Sequence, residues 1–200
     1  MAALEQIGPA RIVSSESESL ILVDEQDRQI GTASKADAHD GEGVLHRAFS
    51  VFLFDERGRL LIQQRAAAKR LWAGYWANSC CSHPRVGESL EIATQRRMNE
   101  ELGVTAELEF IYKFRYQAHF GDLGSEHELC SVYIGRTRSS TVRPNPAEIA
   151  QSRFISMDEA DQLVADPEET VAPWFRMEWQ ELRSHYADTL ATLRPENEAR

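Results

Sequence analysis

The sequence has no run of about 18 consecutive apolar residues, so no segment is long enough to cross a bilayer as a helix. Its first twenty residues also lack the apolar core of a secretory signal. Cysteine is scarce and odd in number, three in all, with Cys80 and Cys81 adjacent and no Cys-x-x-Cys pair or zinc-finger spacing. That excludes a disulfide framework and suits a reducing compartment. Basic charge is short as well: 22 Lys and Arg stand against 32 Asp and Glu, a net charge of −10 at pH 7. Nucleic acid and anionic membrane surfaces, which attract a basic face, are poor partners for such a chain. There is no internal repeat. These absences leave an expected cytoplasmic protein with no obligatory protein partner evident. Its few cations can still gather in one pocket around a small anionic molecule.

What is present is enough for one domain. The chain has 200 residues, 42% of them hydrophobic, which permits a single sizeable core with extensions. Residues 1–19 include the polar, acidic Ser14-Ser15-Glu16-Ser17-Glu18-Ser19 and read as a flexible N-terminal tail. Leu20-Ile21-Leu22-Val23 and Gln29-Ile30-Gly31-Thr32 read as two strands around a polar turn. A stronger hairpin spans 48–64, turning at Asp55-Glu56-Arg57-Gly58. Residues 89–102 are rich in helix formers and end at Gly103, a natural stop. Strands are expected at 110–116, 128–134 and 153–155. Ser156 and Glu159 form a capping box for a helix over 157–164. Pro173 opens a last helix with Phe175, Trp179, Leu182 and Tyr186 on one stripe, and 188–200 is a C-terminal tail. The fold class is α+β, a mixed sheet flanked by helices.

On the helix ending Arg96-Arg97-Met98-Asn99-Glu100-Glu101-Leu102-Gly103, Arg96 and Glu100 are four residues apart, as are Arg97 and Glu101. By themselves these are two solvated pairs worth a few tenths of a kcal/mol. The longer spacing from Ser82 through Glu88 to Arg96 and on to Val104 resembles the Nudix box, with Ser82 in place of its first Gly and Arg97 in place of a Glu. In that box one helical turn presents carboxylates to Mg²⁺, which keeps part of its shell for substrate phosphates. Losing a carboxylate at Arg97 predicts a site that holds a diphosphate without cleaving it. A Nudix hydrolase of nucleoside diphosphate derivatives, the main rival, would need that glutamate and has no use for Cys81.

A cysteine near a histidine is ordinarily packing, but Trp76-Ala77-Asn78-Ser79-Cys80-Cys81-Ser82-His83-Pro84 running into this altered box closely resembles the type I isopentenyl-diphosphate isomerases, of Nudix superfold. The resemblance covers about residues 20–179. It implies a Nudix core near 44–178 within a single domain at 20–187, with N-terminal strands and a C-terminal helix added. It also implies interconversion of isopentenyl and dimethylallyl diphosphate, in isoprenoid biosynthesis, through a tertiary carbocation. Spacing alone leaves the two adjacent cysteines undecided; the family motif selects Cys81 as catalytic, with Glu128, Tyr116 and Trp174, and leaves Cys80 and Cys130 as packing. Lys35, Arg65, Lys69 and Arg97 are implied as diphosphate ligands. His39, His46, His83, Glu126 and Glu128 are implied as a metal site for Mn²⁺, with Zn²⁺ or Mg²⁺ as alternatives. Glu101 is implied to join Mg²⁺ to the diphosphate. Glu126 and Glu128, two apart in a strand, can face one ion while His127 turns away.

Overall fold

A computed structural model describes residues 12–193. Strand β3 (His46–Phe54) is the axis of a nine-stranded mixed sheet, buried along nearly its whole length. Its apolar run allows this, because alternate residues serve opposite faces. Phe49, Val51 and Leu53 face α2 (Leu90–Leu102) in one cluster; Ala48, Phe52 and Phe54 join the cluster that holds α3 (Met157–Ala165) and α4 (Pro173–His185). Helices thus cover both faces of the sheet.

Around β3 lie the elements that carry the site. β8 (Ser125–Arg136) runs parallel to it, with His46 opposite Glu128. β6 (Cys80–Ser82) runs antiparallel, with Ser50 opposite Cys81. The hairpin β1 (Ser19–Val23) and β2 (Gln29–Ser34) joins through Leu22 opposite His46, and β4 (Leu60–Arg65) continues to β5 (Trp76–Ala77) and β9 (Ile149–Ile155). β7 (Leu108–His119) pairs along the whole of β8.

Local signals read from the sequence reappear as geometry. Ser89 caps α2 by accepting from the Ile92 amide, and Gly103 ends it at φ 67°, a left-handed conformation that favours glycine. Ser156 and Glu159 close the expected capping box on α3, and Pro173 opens α4. Phe175, Trp179 and Leu182 are buried on the stripe the spacing predicted. Four elements were not foreseen: α1 (Lys35–His39), β5, β6 and α5 (Ala187–Ala191). Residues 13–18, read from sequence as part of a tail, make specific contacts described below; residues 1–11 and 194–200 lie outside the described residues.

Candidate active site

β6 is only three residues long, yet its pleat separates the two cysteines. Cys80 is fully buried in the cluster beneath α2, while Cys81 turns to the opposite face and lines a cavity with Glu128, Tyr116 and Trp174. Alternation along the strand, and not the spacing, is what sends Cys81 to the cavity and Cys80 to the opposite face. Cys130 is buried on the cavity side of the sheet, behind the cavity wall.

At one end of the cavity five donors converge. Single ligand atoms of His39, His46, His83, Glu126 and Glu128 all lie within 4.8 Å of one another, and all five residues are buried. The imidazoles of His39 and His46 are held by Nδ1 contacts of 2.7 Å to the carbonyls of Lys35 and Val44. A carbonyl only accepts, so Nδ1 carries a proton in both rings and Nε2 faces the cluster, where it can hold a proton toward a carboxylate or, once that proton is lost, offer a lone pair. There, His46 Nε2 faces His83 Nε2 at 3.2 Å, His39 Nε2 faces Glu126 Oε2 at 2.8 Å, and His83 Nε2 faces Glu128 Oε1 at 3.0 Å. Ring nitrogens and carboxylates aimed at one point call for positive charge among them, from protons on the imidazoles or from a metal ion, and backbone carbonyls behind the rings are the usual support of a metal ligand. The donor set fits a divalent ion.

The electrostatics agree. Burial pushes the His83 imidazole well below its ordinary value, and the neighbouring His46 and His39 push it further. Burial opposes ionisation of Glu126, but the charge and hydrogen bond of His39 outweigh it and hold the carboxyl below its usual range. Glu128 is held down in the same way against burial, by His46 and by the Tyr116 hydroxyl, which donates to Oε2 at 2.8 Å. Burial raises the Cys81 thiol and the Tyr116 phenol, so both remain protonated at neutral pH.

The other end of the cavity is cationic. Lys35, Arg65, Lys69 and Arg70 line it, Arg70 being a cation that the sequence reading missed. Arg65 donates to the Leu71 carbonyl at 3.0 Å and stands 5.3 Å over the Trp174 ring. Trp72, at φ 49°, packs edge-on against that same indole, with ring centroids 5.3 Å apart. Residues 13–16 lie across this end. Ser14 Oγ accepts from Lys35 at 2.6 Å, and the Glu16 carboxylate lies 3.6 Å from Lys35 and 3.9 Å from Arg70. The amides of Val13 and Ser14 donate to the buried Glu148, whose other oxygen pairs with Lys69.

Arg97 and Glu101 are not brought to the cavity wall. Arg97 is 1% exposed; it ion-pairs with Glu101 and donates to the Val13 carbonyl at 2.5 Å. The expectation of a solvated pair is therefore corrected for Arg97 and Glu101. Tertiary packing buries that side of α2, while Arg96 bonds Glu88 at 2.7 Å nearer the surface. Sequence reasoning also assigned no role to Ser50, Gly124, Glu148 or Glu178, and it quoted Asn78 only as part of the cysteine motif.

A sheet with helices on both faces and a metal-donor cluster beside a cationic end defines a Nudix-type domain, and residues 44–175 match the NUDIX domain family. The fold is shared with a solved protein of Deinococcus radiodurans, at TM-score 0.67 and 24% identity over 82% of this chain and 98% of that one. Within this class the chain belongs to the isopentenyl-diphosphate Delta-isomerase family. It is similar to isopentenyl-diphosphate Delta-isomerase 1 of Photorhabdus laumondii, 42% identical over 86% of this chain and 99% of the relative. It is also similar to the isopentenyl-diphosphate Delta-isomerase of Burkholderia multivorans, 45% identical over 79% of this chain and 89% of the relative. Among the described residues, no helix is long and apolar enough to cross a membrane.

Proposed function

We propose that the chain interconverts isopentenyl and dimethylallyl diphosphate, with Cys81 and Glu128 as the two proton-handling groups. The observation that carries this reading is their placement. They stand on β6 and β8, strands on either side of β3, and both line one cavity with an aromatic wall and a cationic end. The reaction adds a proton to the terminal carbon of an unactivated alkene and removes another from the carbon next to the diphosphate-bearing arm. A tertiary carbocation lies between, so acid and base must stand apart and water must be kept out.

Cys81 holds a proton on one side; Glu128, hydrogen-bonded by Tyr116, exchanges one on the other. Positioned acid–base groups contribute about 10²–10⁴ each. Trp174 can add about 0.5–2 kcal/mol to a neighbouring cation. Arg65 already draws on that ring, which favours the lower end. Lys35, Arg65 and Lys69 hold the diphosphate, and Arg97 supports that end by fixing Glu101 and the Val13 carbonyl. When bound at His39, His46, His83, Glu126 and Glu128, a divalent ion supplies fixed positive charge that orients the Glu128 carboxylate; Mn²⁺ suits the mixed nitrogen and oxygen donors, with Zn²⁺ or Mg²⁺ as alternatives. Glu101, the carboxylate the resemblance implies for a second ion, Mg²⁺, is buried against Arg97 away from the cavity wall and would have to leave that pair to hold one.

Proton NMR of isopentenyl diphosphate incubated with the protein and divalent metal in D₂O tests the reading. Dimethylallyl diphosphate with solvent deuterium in its carbon skeleton is expected. Phosphate release without isomer would show a hydrolase instead.

A further inference from the structure

The Cys81 thiol is held on two sides by side chains to which sequence reasoning assigned no role. Asn78 is fully buried. Its Nδ2 donates to the Val51 carbonyl at 3.1 Å, which fixes the orientation of the amide and aims Oδ1 at the Cys81 sulfur, 2.7 Å away. An amide oxygen has no proton to give, so this contact is made by the thiol proton. On the other side, Ser50 Oγ lies 3.5 Å from Cys81 Sγ and 3.5 Å from Cys130 Sγ. The Cys130 thiol also lies 3.5 Å from Glu178 Oε1. Glu178 is a second partner for the Ser50 hydroxyl, so the serine proton has two directions open to it, toward Glu178 and toward Cys81. Register explains the arrangement: Ser50 is paired with Cys81 across β3 and β6, and shares the cavity-side face of β3 with Ala48 and Phe52.

We propose that Asn78 and Ser50 are positioning residues for the Cys81 thiol. Asn78 Oδ1 receives its proton in the resting state, and the Ser50 hydroxyl turns to the sulfur once that proton has gone to the alkene. The inference rests on the proton role given to Cys81 above. In the forward step the S–H bond breaks and a C–H bond forms at the terminal carbon, leaving the electron pair on sulfur. The serine hydrogen bond then meets that pair, and Glu128 takes the second proton from carbon. The contact to Asn78 returns when the sulfur regains a proton, from carbon in the reverse step or by exchange with solvent after product leaves. Neither side chain touches the substrate. Each acts by fixing where the proton is and where the resulting charge is met, inside a cavity where unmet hydrogen-bonding groups are costly.

The test begins with the unmodified protein. Raman spectra should contain an S–H stretching band shifted to low frequency by a strong hydrogen bond, and Cys81→Ser should remove it. A Cys81 band at the position of a free thiol would overturn the proposal, whatever the variants do. In Asn78→Ala that band should move to the free-thiol position while kcat falls by about tenfold or more and KM stays within about twofold. In Ser50→Ala kcat should fall by about tenfold with the Asn78-bonded band retained. If either variant fails to fold, the wild-type band still decides for Asn78, and Ser50→Thr, which keeps the hydroxyl, should retain most of kcat. Variants that isomerise at the wild-type rate would overturn the positioning roles and leave the isomerase reading standing. If the wild-type protein forms no isomer, the isomerase reading fails separately.

Discussion

At the scale of single residues, the cysteine doublet gives the sharpest contrast. Cys81→Ala should reduce isomerisation by about 10²–10⁴, the range a positioned acid of this kind contributes. Cys80→Ala should keep most activity, because Cys80 faces α2. Equal losses in an isomerisation assay would reverse the assignment. Glu16 makes a different prediction. Its half-exposed carboxylate lies near Lys35 and Arg70, where the diphosphate is expected to bind. Glu16→Gln should lower KM by up to about fivefold at low salt, and the gain should shrink as salt screens the pair; an unchanged KM would show that Glu16 does not compete. Glu178 bears on stability. Burial pushes its carboxyl up to about 8 from an ordinary 4.5. The folded protein thus keeps a proton that the unfolded chain releases. Stability from the neutral carboxyl is complete below about 4.5 and is lost as pH rises toward 8. Glu178→Gln should lack this loss, so its stability relative to wild type should improve by up to about 1.4 kcal/mol per pH unit across that window. Parallel denaturation profiles for the two proteins would contradict it. The histidine cluster and Cys81 stood out in the sequence only through the family resemblance. Ser50 and Glu178 did not stand out, because their contacts lie far along the chain. Asn78 lay inside the cysteine motif, but its amide orientation, set by Val51, was not readable there.

Elements were legible in proportion to how far local chemistry decides them. β3 carries an apolar run, α2 and α3 carry side-chain caps and α4 opens on Pro173, so the sequence located all four closely. β7 and β8 extend beyond the expected 110–116 and 128–134 because their ends, such as Gln117, Ala118 and Glu126, are held by cross-strand pairing rather than by an apolar pattern. β6 is short and bears cysteine and serine, so only its pairing with β3 makes it a strand. The turn into β8 shows how an element can place a ligand. Gly124 sits at φ 144°, and a Cβ there would collide with the carbonyl oxygen of His39. Gly124→Ala should displace α1 and with it His39. Metal content per chain after dialysis should fall well below the wild-type value, and retention of wild-type metal would refute the link.

For the molecule as a whole, the donor cluster couples binding to folding. Without a cation, three imidazoles and two carboxylates are buried against one another; with one, the folded state alone gains the binding energy. Exhaustive chelation should therefore lower Tm by several degrees and abolish turnover. Mn²⁺ at about 100 times its Kd should restore roughly 2.7 kcal/mol. A Tm insensitive to chelator and metal would argue against the site. The central position of β3 explains why one strand affects so much: it adjoins Cys81's strand, which leads into His83, on one side and Glu128's on the other, and itself bears His46 and Ser50.

The alternating faces of β6 also bear on insertions and deletions. A one-residue slip of this strand against β3 would exchange the two thiols, carrying Cys80 into the cavity and Cys81 beneath α2. A chain with a single cysteine there would lose its acid outright; the doublet would still present a sulfur to the cavity. Asn78 has no such duplicate. After a slip the sulfur in the cavity would stand at a different distance along the chain from its amide, so the proton's acceptor would be lost before the thiol itself.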